Sequence, residues 1–148
     1  MVTVNKKGAR VSDVIHQGSC HCGTVRFEAH LPEGLNSARR CTCSMCRMRG
    51  AIAVSVPLDG LRFVSGTENL SIYTFNTHVA QHYFCKTCGI YTHHKRRSNP
   101  NEFGVNVACL KDISPFDFTE VIVHNGVRHP NDDPDAPMIA GTLHFNPA

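Results

Sequence analysis

The chain has 148 residues, 41% hydrophobic and 18% charged, with a formal net charge of +3. That size and balance suit one folded domain with a real apolar core and exclude a wholly disordered chain. The small charge argues against nucleic acid as a partner, and no run approaches the roughly 18 apolar residues of a membrane span.

Met1 to Asp13 carries Lys6, Lys7 and Arg10 without an apolar run of signal-peptide length, so it reads as a flexible tail ahead of a single β domain over 14–148. On this reading the protein is cytoplasmic. Next, Val25, Phe27, Ala29 and Leu31 alternate with Arg26, Glu28 and His30, the period-2 pattern of a strand with one buried face. The runs Ala51 to Val56, Leu61 to Val64, Leu70 to Phe75, Val79 to Phe84, Ile90 to His93, Phe103 to Ala108 and Thr119 to Val123 are short and rich in β-branched or aromatic residues. They are separated by Gly, Pro, Asn or Asp, and they predict further antiparallel strands. No window holds a sustained 3.6-residue apolar stripe, which limits helix to a turn or two after Cys43 or near Ile113 to Phe118. Pro130 to Pro137, rich in Pro and Asp, is a loop. The fold class is therefore mainly β, with few short helical turns.

Eight cysteines in a reducing compartment point to metal rather than disulfides. Seven of them fall into three tight blocks: Cys20 and Cys22, then Cys41, Cys43 and Cys46, then Cys85 and Cys88. If the first pair lies on an extended strand end, its side chains share one face and can pinch a single ion. The last pair has the spacing of a turn that brings two thiolates together. Gly23 and Gly89 follow the two pairs, where a positive φ is commonly needed. Together the two pairs supply the four thiolates of a closed, structural tetrahedral zinc site. The middle block offers only three, so a second zinc there would keep one position open for a small molecule.

Around that block Arg39, Arg40, Arg47 and Arg49 can offset the charge of zinc with three thiolates and attract an anion, or they can form a solvated basic face. A fourth ligand from Cys109 or a histidine would instead close the second site. Cys109, at the end of a predicted strand, reads first as a small buried hydrophobe. His93 and His94 read as solvated surface residues rather than acid-base groups, and Lys95, Arg96 and Arg97 as an exposed charge run.

In order, the residues Gly18-Ser19-Cys20-His21-Cys22-Gly23-x-Val25-x-Phe27, Cys41-x-Cys43-Ser44-x-Cys46-Arg47, Phe84-Cys85-x-x-Cys88-Gly89 and Val105-Asn106-Val107-x-Cys109-Leu110 resemble the glutathione-dependent formaldehyde-activating enzyme family, which includes centromere-protein-V-like members. The resemblance runs from about His16 to Leu110. It implies a β-tent of stacked antiparallel sheets and a structural zinc on Cys20, Cys22, Cys85 and Cys88. It further implies a second zinc on Cys41, Cys43 and Cys46, where a thiol such as glutathione binds. Arg39, Arg40 and Arg47, beside that block in sequence, can pair with the carboxylates of such a thiol. The implied activity is that of a carbon-sulfur lyase or S-hydroxymethylglutathione synthase acting on a thiol and a small aldehyde. A zinc-stapled binding module without catalysis is the alternative.

Overall fold

Alternation over Val25 to Leu31 becomes structure directly. β2 (Arg26–His30) buries Phe27 and Ala29 on one face and pairs antiparallel with β1 (Ile15–Ser19) and β5 (Leu61–Ser65) in a three-stranded sheet. The computed structural model describes residues 14–148, so the reading of the N-terminal tail lies outside the described residues.

The remaining strands form an eight-stranded sheet. In chain order they are β3 (Arg39–Cys41), β4 (Ala53–Pro57), β6 (Leu70–Tyr73), β7 (Gln81–Cys85), β8 (Tyr91–Lys95), β9 (Glu102–Asn106), β10 (Glu120–His124) and β11 (Ile139–His144). Their order across the sheet is β11-β10-β3-β4-β9-β8-β7-β6. Among the described residues one α-helix, α1 (Ser44–Arg49), and 3-10 turns at Leu58–Gly60, Thr67–Asn69, Val107–Cys109 and Pro115–Asp117 complete a mainly β architecture of two sheets. Each predicted strand run is present, with its ends shifted inward or outward by a residue or two.

Two differences have physical causes. Strand β10 pairs with β3 in parallel, so the large sheet is mixed rather than wholly antiparallel. Only three residues long, β3 is too short to carry a period-2 signal, and its pairing is set by a partner 83 residues away. β11 is exposed along its whole length, so burial imposed no apolar alternation there.

Val54, Val56, Val105 and Val107 meet Phe27, Ala29 and Leu31 in the apolar layer between the sheets. Burying a valine or leucine contributes about 1.5–3 kcal/mol. A smaller cluster of Cys20, Val25 and Cys85, backed by Phe63 and Leu70, joins the sheets at one end. Among the described residues no helix is long and apolar enough to cross a membrane.

Adjacent histidines on β8 are divided by the strand's alternation. His93 is buried in the inter-sheet layer, its ring 4.3 Å from Tyr83 and 5.2 Å from Phe63, with Nδ1 2.9 Å from Thr92 Oγ1. His94 faces the other way. Neither is the solvated surface residue that the sequence suggested: burial in the sheet pushes the pKa of both down.

Candidate metal centres and the arginine-lined cavity

At the first cysteine group the backbone departs from the extended pincer. Cys20 and Cys22 lie on the turn between β1 and β2, closed by Gly23 N–H donating to Cys20 O at 3.1 Å and Cys20 N–H to Val25 O at 3.0 Å. A turn brings the sulfurs together as well as a strand would. They are 3.5 Å apart, and Cys22 Sγ is 3.7 Å from Cys85 Sγ. Cys85 ends β7, and the following turn returns Gly89 N–H to Cys85 O at 2.8 Å. Gly23 and Gly89 both adopt positive φ, at 78° and 74°.

The ligand atoms of Cys20, Cys22, Cys85 and Cys88 all lie within 4.8 Å of one another. A tetrahedral zinc with bonds of about 2.3 Å separates its sulfurs by about 3.8 Å, so the four thiols fit such an ion without rearrangement. They are too far apart for disulfides, whose bond is about 2.05 Å. Burial raises Cys20 to about 11, whereas backbone N–H contacts, chiefly from Cys22, lower Cys88 to about 6. One pair comes from the small sheet and the other from the large one, so an ion here would tie the two together.

The second group is built by β3 and α1. Cys41 ends β3, and Cys43 caps α1, its sulfur accepting from Cys46 N–H at 3.3 Å. Cys43 N–H in turn donates to Cys41 Sγ at 3.4 Å. The three sulfurs lie within 4.8 Å of one another, and among the described residues no fourth Cys, His, Asp or Glu donor joins them. Hydrogen bonds from its two neighbours hold the Cys43 thiol well below its ordinary pKa, while sharing a site with Cys41 and Cys43 pushes Cys46 up. Three corners of a tetrahedron are thus present. Cys109 belongs elsewhere: it is buried, its Sγ donates to Tyr91 O at 3.5 Å, and desolvation raises it to about 12.

Parallel pairing of β3 with β10 closes the back of this group. Thr42 N–H donates to His124 O at 3.1 Å, and Thr42 Oγ1 accepts from Gly126 N–H at 2.9 Å. That brings Gly126 so near that a Cβ on it would lie 2.5 Å from Cys41 Sγ, 2.6 Å from Cys43 Cβ and 2.7 Å from Cys43 N. Backbone and ligands cannot both yield. Gly126→Ala should therefore abolish metal binding by this group while sparing any by the four-cysteine group, at a stability cost of about 1–3 kcal/mol. Metal content per chain and a thermal melt check it; two retained equivalents would contradict the packing.

In front of the triplet opens a cavity of about 470 Å³. Arg39, Arg40 and Arg49 reach it, whereas Arg47 is exposed on α1 and is not among its lining residues. Helical spacing explains the split: Arg49 stands one turn beyond Cys46 and donates from Nη2 to its sulfur at 3.5 Å. The same guanidinium lies 3.5 Å over the Tyr91 ring, and its Nη1 is 3.2 Å from His82 Nδ1. Because guanidinium only donates, Nδ1 accepts and the His82 proton sits on Nε2, which is buried without a partner. Burial, then Arg49, lowers His82 to about 4. Tyr91 Oη is 2.5 Å from His94 Nδ1 and 3.2 Å from Gly104 O.

The run Lys95 to Arg97 is not a solvated charge run. Arg96 is paired with Glu102 at 2.5 Å and bonds Ser55 Oγ at 3.2 Å, and Arg97 is bidentate on Asp132. Both arginines line the cavity, as do His82, Tyr91 and His94. Sequence reasoning passed over His82 and Tyr91 and misplaced His94, Arg96 and Arg97. Pairing the two predicted strands β7 and β8 would have exposed the signal, since His82 stands directly opposite His94.

A family model described as glutathione-dependent formaldehyde-activating enzyme matches residues 15–123. A Halomonas elongata protein provisionally named for that same activity is 38% identical over 81 residues, which cover 49% of this chain and 50% of the relative. The chain thus spans about half the length of that relative. A crystal structure of a Rhodobacter sphaeroides protein superposes with a TM-score of 0.70 at 58% identity, covering 71% of this chain and 96% of that one.

Proposed function

Because the chain belongs to the glutathione-dependent formaldehyde-activating enzyme family, we propose that it acts on a glutathione-type thiol and the adduct of that thiol with a small aldehyde, as a zinc-dependent carbon-sulfur lyase. The observation that carries this reading is three clustered sulfurs, short of a fourth ligand, at the wall of an arginine-lined cavity.

Zinc held by Cys41, Cys43 and Cys46 would supply a Lewis acid that favours the thiolate form of an incoming thiol. The chain's own residues do the rest. Arg39 and Arg40 receive carboxylates of the ligand. Arg49, pinned on Tyr91, holds the Cys46 sulfur in place. In the forward direction the thiolate sulfur bonds to the aldehyde carbon and the carbonyl oxygen gains a proton; in reverse that proton leaves and the carbon-sulfur bond breaks. Zinc on Cys20, Cys22, Cys85 and Cys88 is structural in this scheme. A reducing, cytoplasmic setting belongs to this proposal, because it keeps the clustered cysteines available to metal.

Two classes of zinc should follow. Mild chelation is expected to remove one equivalent per chain quickly and to leave the other. Alkylation should then modify Cys41, Cys43 and Cys46 ahead of the buried Cys20 and Cys85, and glutathione should protect the triplet. Two equally inert zincs, with no protection by thiol, would mean that both groups only brace the fold.

A further inference from the structure

Five arginines line the cavity, and their partners separate them. Arg97 is answered by Asp132, Arg96 by Glu102, and Arg49 by the Cys46 sulfur. For Arg39 and Arg40 no carboxylate stands within ion-pairing distance among the described residues.

Arg39 is the more telling of the two. Only 9% exposed, it spends Nη1 on the neutral oxygens of Ser37 and Ser55, each at 3.0 Å, and its Nη2 is buried with no partner. A cation in that position is relieved by an anion supplied from outside the chain. Asp132 is the one carboxylate on the cavity wall among the described residues, and Arg97 occupies both of its oxygens.

We infer that the cavity recognises two carboxylates of its thiol through Arg39 and Arg40 and, among the described residues, offers no free carboxylate to an ammonium group, so that its substrate class is dicarboxylate thiols, with any amine left unbound. This rests on the reading of the cavity as a thiol site. An ammonium drawn in beside two unanswered guanidinium groups would meet like charge and lose water without gaining a partner. In glutathione, on this view, the glycine and glutamyl carboxylates are recognised and the α-amine is not.

The test compares three tripeptides by calorimetric titration of the zinc-loaded full chain: glutathione, glutaryl-cysteinyl-glycine, which lacks only the amine, and glutaryl-seryl-glycine, which lacks amine and sulfur. The desamino thiol should bind at least as tightly as glutathione, and Arg40→Gln should weaken it by about 10-fold or more, the scale of a lost charge-assisted hydrogen bond. Arg40→Lys should recover part of that loss. Glutathione binding threefold or more tighter than its desamino analogue would overturn the inference, as would thiol binding indifferent to Arg40→Gln. The serine peptide separates the two readings. Its binding, lost with Arg40→Gln while neither thiol gains from its sulfur, would keep the carboxylate site and remove the thiol reading. Thiol binding that depends on Cys43 but ignores Arg40 and the amine would do the reverse.

Discussion

Cys43→Ser should leave a folded protein that holds one zinc per chain instead of two and has lost thiol binding and turnover by roughly 100-fold or more. The magnitude follows from a lower bound: changing a residue that merely supports a metal ligand costs about 10–100-fold, and here the ligand itself is changed. Serine is the informative replacement because Cys43 has two duties. Its sulfur both belongs to the triplet and caps α1 by accepting from Cys46 N–H. A serine hydroxyl keeps the cap and is a poor zinc ligand, whereas Cys43→Ala removes both. Alanine should therefore show the same functional loss plus a further destabilisation of about 1 kcal/mol from the missing cap. Metal analysis, thiol titration and a melt of both variants decide it. Wild-type turnover and thiol affinity in either variant would remove the triplet from the chemistry.

At the other cysteine group the expected result is collapse rather than inactivity. Cys85 is fully buried, accepts from Asn69 Nδ2 at 3.2 Å, and lies where the two sheets meet. Structural zinc in small domains contributes an apparent 10–16 kcal/mol or so of binding energy to folding, comparable with the whole stability of about 5–15 kcal/mol of an ordinary domain. Cys85→Ser should thus lose both zincs and express as insoluble or unfolded chain, since the second group depends on the same sheet. The control is Cys109→Ala. That thiol is also buried but lies outside both groups and makes one hydrogen bond, to Tyr91 O. Its loss should cost about 1 kcal/mol, shift the melt by only about 2–4 °C and leave both metals bound. A soluble Cys85→Ser protein with a wild-type melting temperature would show that the four cysteines do not tie the sheets.

How much was legible depended on how local each signal is. The β2 alternation predicted which residues face the core, because side-chain direction in a strand is dictated by covalent geometry alone. The short helix after Cys43 was likewise readable, with Gly50 ending it in the left-handed region at φ 70°. The histidines were not. His93 and His94 are neighbours in sequence, and only the packing of the sheets sends one into the core and the other to the cavity. Arg97 looked solvated because its partner, Asp132, lies 35 residues away in a loop that carries no pairing signal of its own.

The amino-acid sequence alone was enough to determine a mainly β chain with two cysteine groupings and the family to which it belongs. Chelating thiols two to five residues apart are held within reach of one ion by the backbone between them, and strand alternation needs no partner to be seen. Tertiary structure alone decided what surrounds those groups. The parallel β3–β10 pair sets Gly126 against the triplet, the β7–β8 register places His82 opposite His94, and separate ion pairs leave Arg39 and Arg40 as the unanswered charges of the cavity. Each of these joins residues far apart in the chain, where the contact is chosen by the burial and pairing of whole sheets and leaves no trace in local spacing.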